Sequence, residues 1–373
     1  MPLPTLNEIL NLYNPHAGLA EAATMPAEWY WYSGVAELER QAVFARTWQF
    51  VGRAEQLRDP GQYITAEVAG EPIVVVRGAD NQLRTFFNVC RHHAAAVMTE
   101  PEGCVQHLRC PYHGWTYGLD GALKGMTDFE GVRDFDRAEH SLVPVKVDTW
   151  ERFVFVNLDP QAAPLREFLG KMAEWAAPLG IGTLQFAERR RYTLNCNWKV
   201  YVDNYLDGGY HVPHLHKGLN SVIDYADYTI ENAERCCAQI APLRSRSHAD
   251  AAAAATRQGD RAYYLWQYPN FMINWYEGVM DTNLVLPAGS PDRCEVIFDF
   301  YFARADAIAA QFNAESIEVS ERVQDEDVAI CESVQRGLKS RAYRAGRLSV
   351  RREAGEHLFH RLLYADLKSG LTP

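Results

Sequence analysis

Two short stretches of the chain concentrate the residue types that bind metals. The first, CRHHAAAVMTEPEGCVQHLRCPYHGW (Cys90–Trp115), holds three cysteines and four histidines in 26 residues. Within it Cys90 and His92 form C-x-H, and seventeen residues later Cys110 and His113 form C-x-x-H. Structural zinc sites usually draw on C-x2-4-C knuckles and H-x3-5-H pairs. Here each knuckle offers one thiolate and one imidazole, a division that suits a two-iron cluster with two cysteines on one iron and two histidines on the other. Zinc is the bland alternative. Neutral imidazoles make such a cluster less negative and raise its potential to roughly −150 to +300 mV, against about −400 mV for all-cysteine plant-type clusters. Pro111, Gly114 and Trp115 supply a tight turn and a bulky cover. A cluster of this kind moves single electrons and does no substrate chemistry alone, so function must be read from the rest of the chain.

The second stretch, NWKVYVDNYLDGGYHVPHLH (Asn197–His216), offers three histidines. An oxygen-activating non-haem iron uses two histidines and a carboxylate and leaves its other positions open. On an uninterrupted helix His211 and His214 share a face, whereas His211 and His216 diverge. Pro213, however, disfavours continued helix, so His216 can come round from a turn. Spacing alone leaves both pairs open. The carboxylate must come from farther along, and SERVQDEDVAICESVQRGL (Ser320–Leu338) has helical spacing. Val323, Val328, Ile330, Cys331 and Val334 mark its expected buried side, with most of its acids on a solvated face.

These residues need elements to hold them. Val35–Trp48 has helical apolar spacing, with Ser33 as a cap. The runs QYITAEV, PIVVVRG, LRTFFNV and RFVFVNL then predict a small all-β domain. After Pro160 helical patterning returns, followed by the strands LWQYPNFMINWY, TNLVLP and CEVIFDFYF and by long helices from about Asn313. The expected class is α+β. A helical arm (1–45) packs on the catalytic domain, a β domain spans 46–162, and a larger α+β catalytic domain spans 163–373. Ala251–Ala255 is expected in a surface segment. An apolar fraction of 47% supports packed cores, and a net charge of −11 excludes a general affinity for nucleic acid or anionic membrane. Eight cysteines in 373 residues are too few for a disulfide framework. The absence of a signal-like N-terminus and of long apolar runs makes the cytoplasm the expected location.

CPYHGWTYGLDG closely resembles the Rieske [2Fe–2S] domain, and Asn197–His216 resembles the catalytic domain of Rieske non-haem iron oxygenases; the resemblance covers nearly the whole chain. It implies a helix-grip-like catalytic domain with a mononuclear Fe(II) site. It also implies Cys90, His92, Cys110 and His113 as cluster ligands, leaving His93, Cys104 and His107 structural or exposed. The family's H-x4-H selects His211 and His216 over His214. The aspartate of its acid–Asp pair becomes Asp327, preceded by Glu326, with Asp325 the rival. Many relatives carry, three residues before the first histidine, an acid that connects the iron to the cluster of the neighbouring subunit. Here that position is Gly208 and the acid is Asp207, four residues before. A helix bulge absorbing the extra glycine is expected to bring Asp207 into that role, with Asn204 on the same helical stretch.

MDTNLVLP, CESVQRGL and AYRAGRLSV are similar to the choline monooxygenase branch, which includes betaine and carnitine oxygenases. The activity implied is O2-dependent C–H hydroxylation of a quaternary ammonium compound, by N-demethylation or alcohol oxidation. An aromatic-ring dioxygenase and a bare Rieske electron carrier are the competing readings. Aromatic faces hold a quaternary ammonium, so Trp266, Tyr268, Phe271, Trp275 and Tyr276 are the expected pocket, with Glu277 as a carboxylate; strand alternation turns about half of such rings away. No dinucleotide-binding loop or four-cysteine cluster is present. Electrons must therefore arrive through a separate reductase, which the resemblance implies to be of the flavin and iron–sulfur type and fed by NAD(P)H. The resemblance further implies a homotrimer or a dimer of trimers.

Overall fold

The computed structural model describes residues 5–244 and 250–371. The short alternating runs form β1 (Gln49–Arg53), β2 (Gln62–Val68), β3 (Glu71–Arg77), β4 (Leu83–Phe87) and β5 (Glu102–Cys104). They are followed by β6 (Leu108–Arg109), β7 (Thr116–Tyr117), β8 (Leu123–Gly125), β9 (Pro144–Trp150) and β10 (Phe153–Asn157). Seven of them make an antiparallel sheet in the order β1-β10-β9-β4-β3-β2-β5, and β6-β7-β8 make a small second sheet. In β3 the side chains alternate between two cores, as a period of two requires. Val74 and Val76 join a cluster that includes Cys90, Cys110, Trp115 and Tyr117, while Ile73 and Val75 pack with Val154 and Val156.

In the rest of the chain, β11 (Gln185–Leu194), β12 (Thr229–Asn232), β13 (Cys236–Pro242), β14 (Arg261–Gln267), β15 (Phe271–Tyr276), β16 (Val279–Ala288) and β17 (Ser290–Phe302) form one antiparallel sheet. Its order is β11-β17-β16-β15-β14-β13-β12. The β13–β17 run is a meander, so each register follows from the turn before it. Two long helices, Ala310–Leu338 and Ala354–Gly370, and the shorter helix Trp198–Leu206 complete this unit. The result is the mixed α+β, helix-grip-like arrangement expected. Among the described residues no helix is long and apolar enough to cross a membrane.

Two compact units result: Met1–Glu39 with Leu169–Pro373, and Arg40–Phe168. Within the first, the N-terminal arm closes over the Trp198–Leu206 helix. Glu39 accepts hydrogen bonds from Trp198 Nε1 (2.9 Å) and Lys199 Nζ (2.5 Å), all three residues being buried. Tyr30 Oη donates to Asp203 Oδ2 (2.5 Å), whose other oxygen lies 2.9 Å from His360 Nε2 of the C-terminal helix. Asn197 caps the helix by accepting from the Lys199 amide (3.0 Å).

The buried side of Ala310–Leu338 differs from the expected one. Ile330 and Val334 are exposed, and the inward stripe is Gln324, Asp327, Cys331, Gln335 and Leu338. These polar groups meet the Trp198–Leu206 helix: Tyr201 Oη donates to Gln324 Oε1 (2.6 Å), Asn204 Nδ2 to Asp327 Oδ1 (2.8 Å), and the Asn197 amide to Gln335 Oε1 (2.9 Å). Hydrophobic periodicity misses such a seam because hydrogen bonding, not apolar burial, selects the inward face. The alanine run lies at the surface as expected: it forms the helix Ala251–Thr256, with Ala251, Ala252 and Ala255 exposed and Ala253 and Thr256 turned inward.

Candidate metal centres and substrate cavity

The two knuckles of the β unit have the same backbone design. Cys90 N donates to Ala95 O (2.8 Å) and Ala94 N to Cys90 O (3.0 Å); Cys110 N donates to Trp115 O (2.9 Å) and Gly114 N to Cys110 O (3.1 Å). The fifth residue of each loop has positive φ, 60° at Ala94 and 71° at Gly114. Each loop thus buries its cysteine and turns its histidine outward. Cys90 and Cys110 are 3% and 2% exposed, whereas His92 is half-buried and His113 exposed. The two imidazole rings face each other at 4.7 Å, and Trp115 stacks on His92 at 4.7 Å with 4° between planes. Tyr117 Oη lies 3.4 Å from Cys90 Sγ and accepts from the Arg91 amide (3.0 Å).

The chemistry of the donor set suits a [2Fe–2S] group. His92 Nδ1 is buried with no hydrogen-bond partner. Burial, and then the neighbouring His93 and His113, hold His92 below the usual imidazole range, which favours the neutral ligating form. Burial pushes the Cys110 thiol up, while backbone amides at Tyr112 and His113 oppose it. Amides aimed at a buried sulfur suit a thiolate ligand, so the residues fit the group. His93 is exposed but close, its ring 5.3 Å from that of His113; Cys104 and His107 are exposed, away from the group of facing imidazoles.

In the other unit the helix Trp198–Leu206 ends at Asp207, and no helix bulge forms. Gly208 and Gly209 instead adopt φ of 68° and 67°. A Cβ at Gly208 would run into the carbonyl oxygen of Arg352, so the extra glycine is what lets the chain turn there. The turn points Asp207 back at His211, with Oδ2 accepting from the His211 amide (3.0 Å) and lying 2.5 Å from His211 Nδ1. His211 and His216 then flank a one-turn helix, Val212–Leu215, as its N-cap and C-cap. Pro213 sits in the first turn and starts this helix rather than ending it. His216, at φ −100° and ψ 74°, turns inward because the helix stops there. His214 on the same turn is exposed.

His211, His216 and Asp327 converge, each offering a ligand atom within 4.8 Å of the others. Asp327 Oδ1 lies 3.1 Å from His216 Nε2 and 3.9 Å from His211 Nε2. Behind the imidazoles, Asp207 meets His211 Nδ1 and Glu326 Oε2 meets His216 Nδ1 at 2.6 Å. A carboxylate on each Nδ1 keeps the proton there and presents each Nε2 lone pair to the common point. Burial pushes His216 down, but Asp327 and Glu326 outweigh it and raise it overall, so the site attracts positive charge. Two imidazoles and a carboxylate backed in this way fit a mononuclear iron. Asp325 is exposed, two residues before Asp327 and so on nearly the opposite side of the helix.

The triad opens into a cavity with about 910 Å³ of empty space including its mouth. One wall is a cross-strand row, Gln239, Tyr264, Asn274 and Asp281, in direct register. Tyr228 stacks on Tyr264 (6.2 Å, 10°), and the Tyr264 and Tyr276 hydroxyls are 2.8 Å apart. Of the six expected pocket residues only Tyr276 lines the cavity. Trp266 and Tyr268 are buried against Phe359 of the C-terminal helix, Trp275 packs on Tyr263, Phe271 is core, and Glu277 is an exposed turn residue. The β14–β15 turn sets the parity: Asn274 and Tyr276 face the cavity, so Trp275 and Phe271 face away. Tyr201, Tyr205, Tyr228, Arg257 and Asp281 were missed. Pairing outward from the Tyr268–Asn270 turn would have placed Tyr264 opposite Asn274, but nothing local marks Arg257.

Residues 47–136 match the Rieske [2Fe-2S] domain, and residues 181–368 match the ring hydroxylating alpha subunit (catalytic domain). The chain therefore belongs to the Rieske non-haem iron oxygenases. It is an enzyme that carries a [2Fe–2S] cluster and a mononuclear iron, uses O2, and works with a separate reductase on a small molecule. Within that family it falls in the choline and carnitine monooxygenase branch. It is 38% identical to chloroplastic choline monooxygenase of Arabidopsis thaliana over 97% of this chain and 87% of that protein. It is 32% identical to the carnitine monooxygenase oxygenase subunit of Acinetobacter pittii (strain PHEA-2), over 92% and 93%. The quaternary ammonium Rieske monooxygenase CntA, solved with L-carnitine, superposes with a TM-score of 0.81 at 31% identity over 98% and 99% of the two chains. Another CntA structure is described as giving insight into carnitine oxidation and inter-subunit electron transfer.

Proposed function

We propose that the chain is the terminal oxygenase of a monooxygenase acting on a quaternary ammonium compound, with choline, betaine and carnitine as the candidates. The observation that carries this reading is the cavity, where the Tyr228, Tyr264 and Tyr276 rings share a lining with the His211–His216–Asp327 triad. Aromatic faces attract a cation that cannot hydrogen-bond, by about 0.5–2 kcal/mol per contact. Cys90, His92, Cys110 and His113 would hold the cluster, and His211, His216 and Asp327 the mononuclear iron. When bound, these groups supply single electrons and the reductive use of O2 that puts one oxygen atom into a C–H bond and releases the other as water. At a carbon on nitrogen the hydroxylated product breaks its C–N bond, giving an aldehyde and the dealkylated amine; at choline's alcohol carbon it loses water to give the aldehyde.

The chain's own residues set up this reaction. Asp207 and Glu326 orient the two imidazoles, and Asn204 fixes the Asp327 carboxylate through Oδ1. Asp207 is also proposed as the link toward the cluster of a neighbouring subunit, in a homotrimer or dimer of trimers. The reductase is proposed to be of the flavin and iron–sulfur type, fed by NAD(P)H, and the cytoplasm is the proposed location.

Turnover with a surrogate reductase and NADH tests the reading. Choline, betaine or carnitine should drive oxygen uptake with release of an aldehyde; uptake with benzoate-like aromatics and with none of these amines would overturn it. Glu326→Ala is expected to weaken mononuclear iron binding about 10- to 100-fold while leaving the cluster's absorption intact. Titration against a metal buffer measures this, and unchanged affinity would remove Glu326 from the site.

A further inference from the structure

The substrate cavity contains a cation that no carboxylate of the described residues contacts as an ion pair. Arg257 follows the helix Ala251–Thr256, lines the cavity and is 8% exposed. Its Nη1 donates to Ser316 Oγ (2.8 Å) and Thr256 Oγ1 (3.4 Å), and its Nη2 to Ser320 Oγ (2.8 Å) and Ser316 O (3.4 Å). The guanidinium carbon stands 4.9 Å from the centre of the Tyr276 ring. All of these partners are neutral. Among the described residues no Asp or Glu pairs with Arg257, and none of the residues outside the description is an acid. Buried charge is unfavourable unless an opposite charge completes it. Lys199 in the same unit shows the usual solution, with Glu39 at 2.5 Å. Arg257 is the sole Lys or Arg among the described cavity-lining residues. The one lining carboxylate besides Asp327 is Asp281, which feels the charge of Arg257 through space but makes no ion pair with it, being held by Asn274 Nδ2 (2.7 Å) and Asn283 Nδ2 (2.8 Å) on the sheet wall.

We infer that Arg257 receives a carboxylate of the substrate, so that the preferred substrate is a quaternary ammonium compound that also bears a carboxylate, in preference to an alcohol such as choline. The inference rests on the quaternary-ammonium reading above and narrows it. Hydroxyls and a carbonyl hold the guanidinium in place without neutralising it, which leaves its charge for an incoming anion. Ser320, one of its anchors, precedes Asp327 by seven residues on the same helix, about 10 Å of rise. A carboxylate held at Arg257 therefore leaves the opposite, ammonium-bearing end of an extended molecule to reach the triad, with the Tyr264 and Tyr276 rings along the same cavity. Recognition and oxidation fall at separate ends of the substrate.

The test uses the holoenzyme with surrogate reductase and NADH, following oxygen uptake on carnitine, glycine betaine and choline. The wild type should favour at least one carboxylated compound over choline by about 100-fold or more in kcat/KM. Arg257→Gln should shrink that preference by about 100-fold, mainly through KM, and Arg257→Lys should restore part of it by keeping the charge without the fork. A second measurement leaves the protein untouched: carnitine methyl ester, which lacks the negative charge, should be a poorer substrate than carnitine by about 100-fold. Equal use of carnitine and its ester, a wild-type preference for choline, or an unchanged preference in Arg257→Gln would each overturn the role of Arg257 while leaving the quaternary-ammonium reading standing. No uptake with any of the four compounds would overturn that reading and the inference with it.

Discussion

Replacing Asp327 by alanine is expected to abolish substrate-dependent oxygen uptake and to remove one iron per chain, with the cluster's visible absorption unchanged. Asp327 is the carboxylate at the meeting point of His211 Nε2 and His216 Nε2, at 3.9 and 3.1 Å, and its side chain is buried. Without it, two neutral imidazoles remain as ligands, and Asn204 Nδ2 loses its acceptor. Removing a group behind a ligand already weakens metal affinity about 10- to 100-fold, so removing the ligand itself should exceed the upper end of that range. Asp325→Ala is the matched control, because Asp325 is exposed and the same helix carries both residues. Iron analysis and uptake together decide the matter. Full iron and full turnover in Asp327→Ala would end its candidacy as a ligand.

The second large effect is expected at the far end of the helix that carries Asn204. Lys199→Met should destabilise the catalytic unit by about 3–5 kcal/mol, since it leaves Glu39 charged and buried beside Trp198 Nε1 alone. A fall of about 10 °C in the unfolding temperature of that unit corresponds to this loss. The double replacement Glu39→Met with Lys199→Met should recover most of it, because no lone charge then remains inside. Calorimetry of the wild type and the two variants measures both effects. Equal stability of the Lys199 variant and the wild type would show that the pair contributes nothing. The same pair ties the N-terminal arm to the helix that ends in Asp207, so weaker iron retention should accompany the loss of stability.

The metal-binding motifs were legible because each is local. C-x-H and C-x-x-H lie on tight loops closed by their own backbone hydrogen bonds, and H-x4-H spans one helical turn. A few residues of chain decide such geometry, whatever surrounds them. The strands of the β unit were legible for the same reason, since alternation along β3 already divides Val74 and Val76 from Ile73 and Val75. The aromatic segment from Tyr263 to Tyr276 was legible as strand but not as pocket. A ring faces the cavity or the core according to the β14–β15 register and to whether Phe359 of the C-terminal helix covers it. Neither is written in the segment itself. The polar stripe of Ala310–Leu338 escaped because apolar spacing pointed to Ile330 and Val334, whereas the inward face is chosen by hydrogen bonds to Asn197, Tyr201 and Asn204.

By itself, then, the sequence determined the class of chemistry: an electron-carrying knuckle pair, a two-histidine turn, and an acidic helix from which one carboxylate had to come. Only the tertiary structure decided which acids do what. It buries Asp327 and exposes Asp325, sets Glu326 and Asp207 behind the two imidazoles, and encloses Arg257 with neutral partners above the substrate space. The physical reason is range. Ligand spacing is settled within a turn or a loop, whereas the burial of a charge and the identity of its partner depend largely on segments distant in the chain, such as Arg257 with Ser316 and His216 with Glu326, brought together by packing.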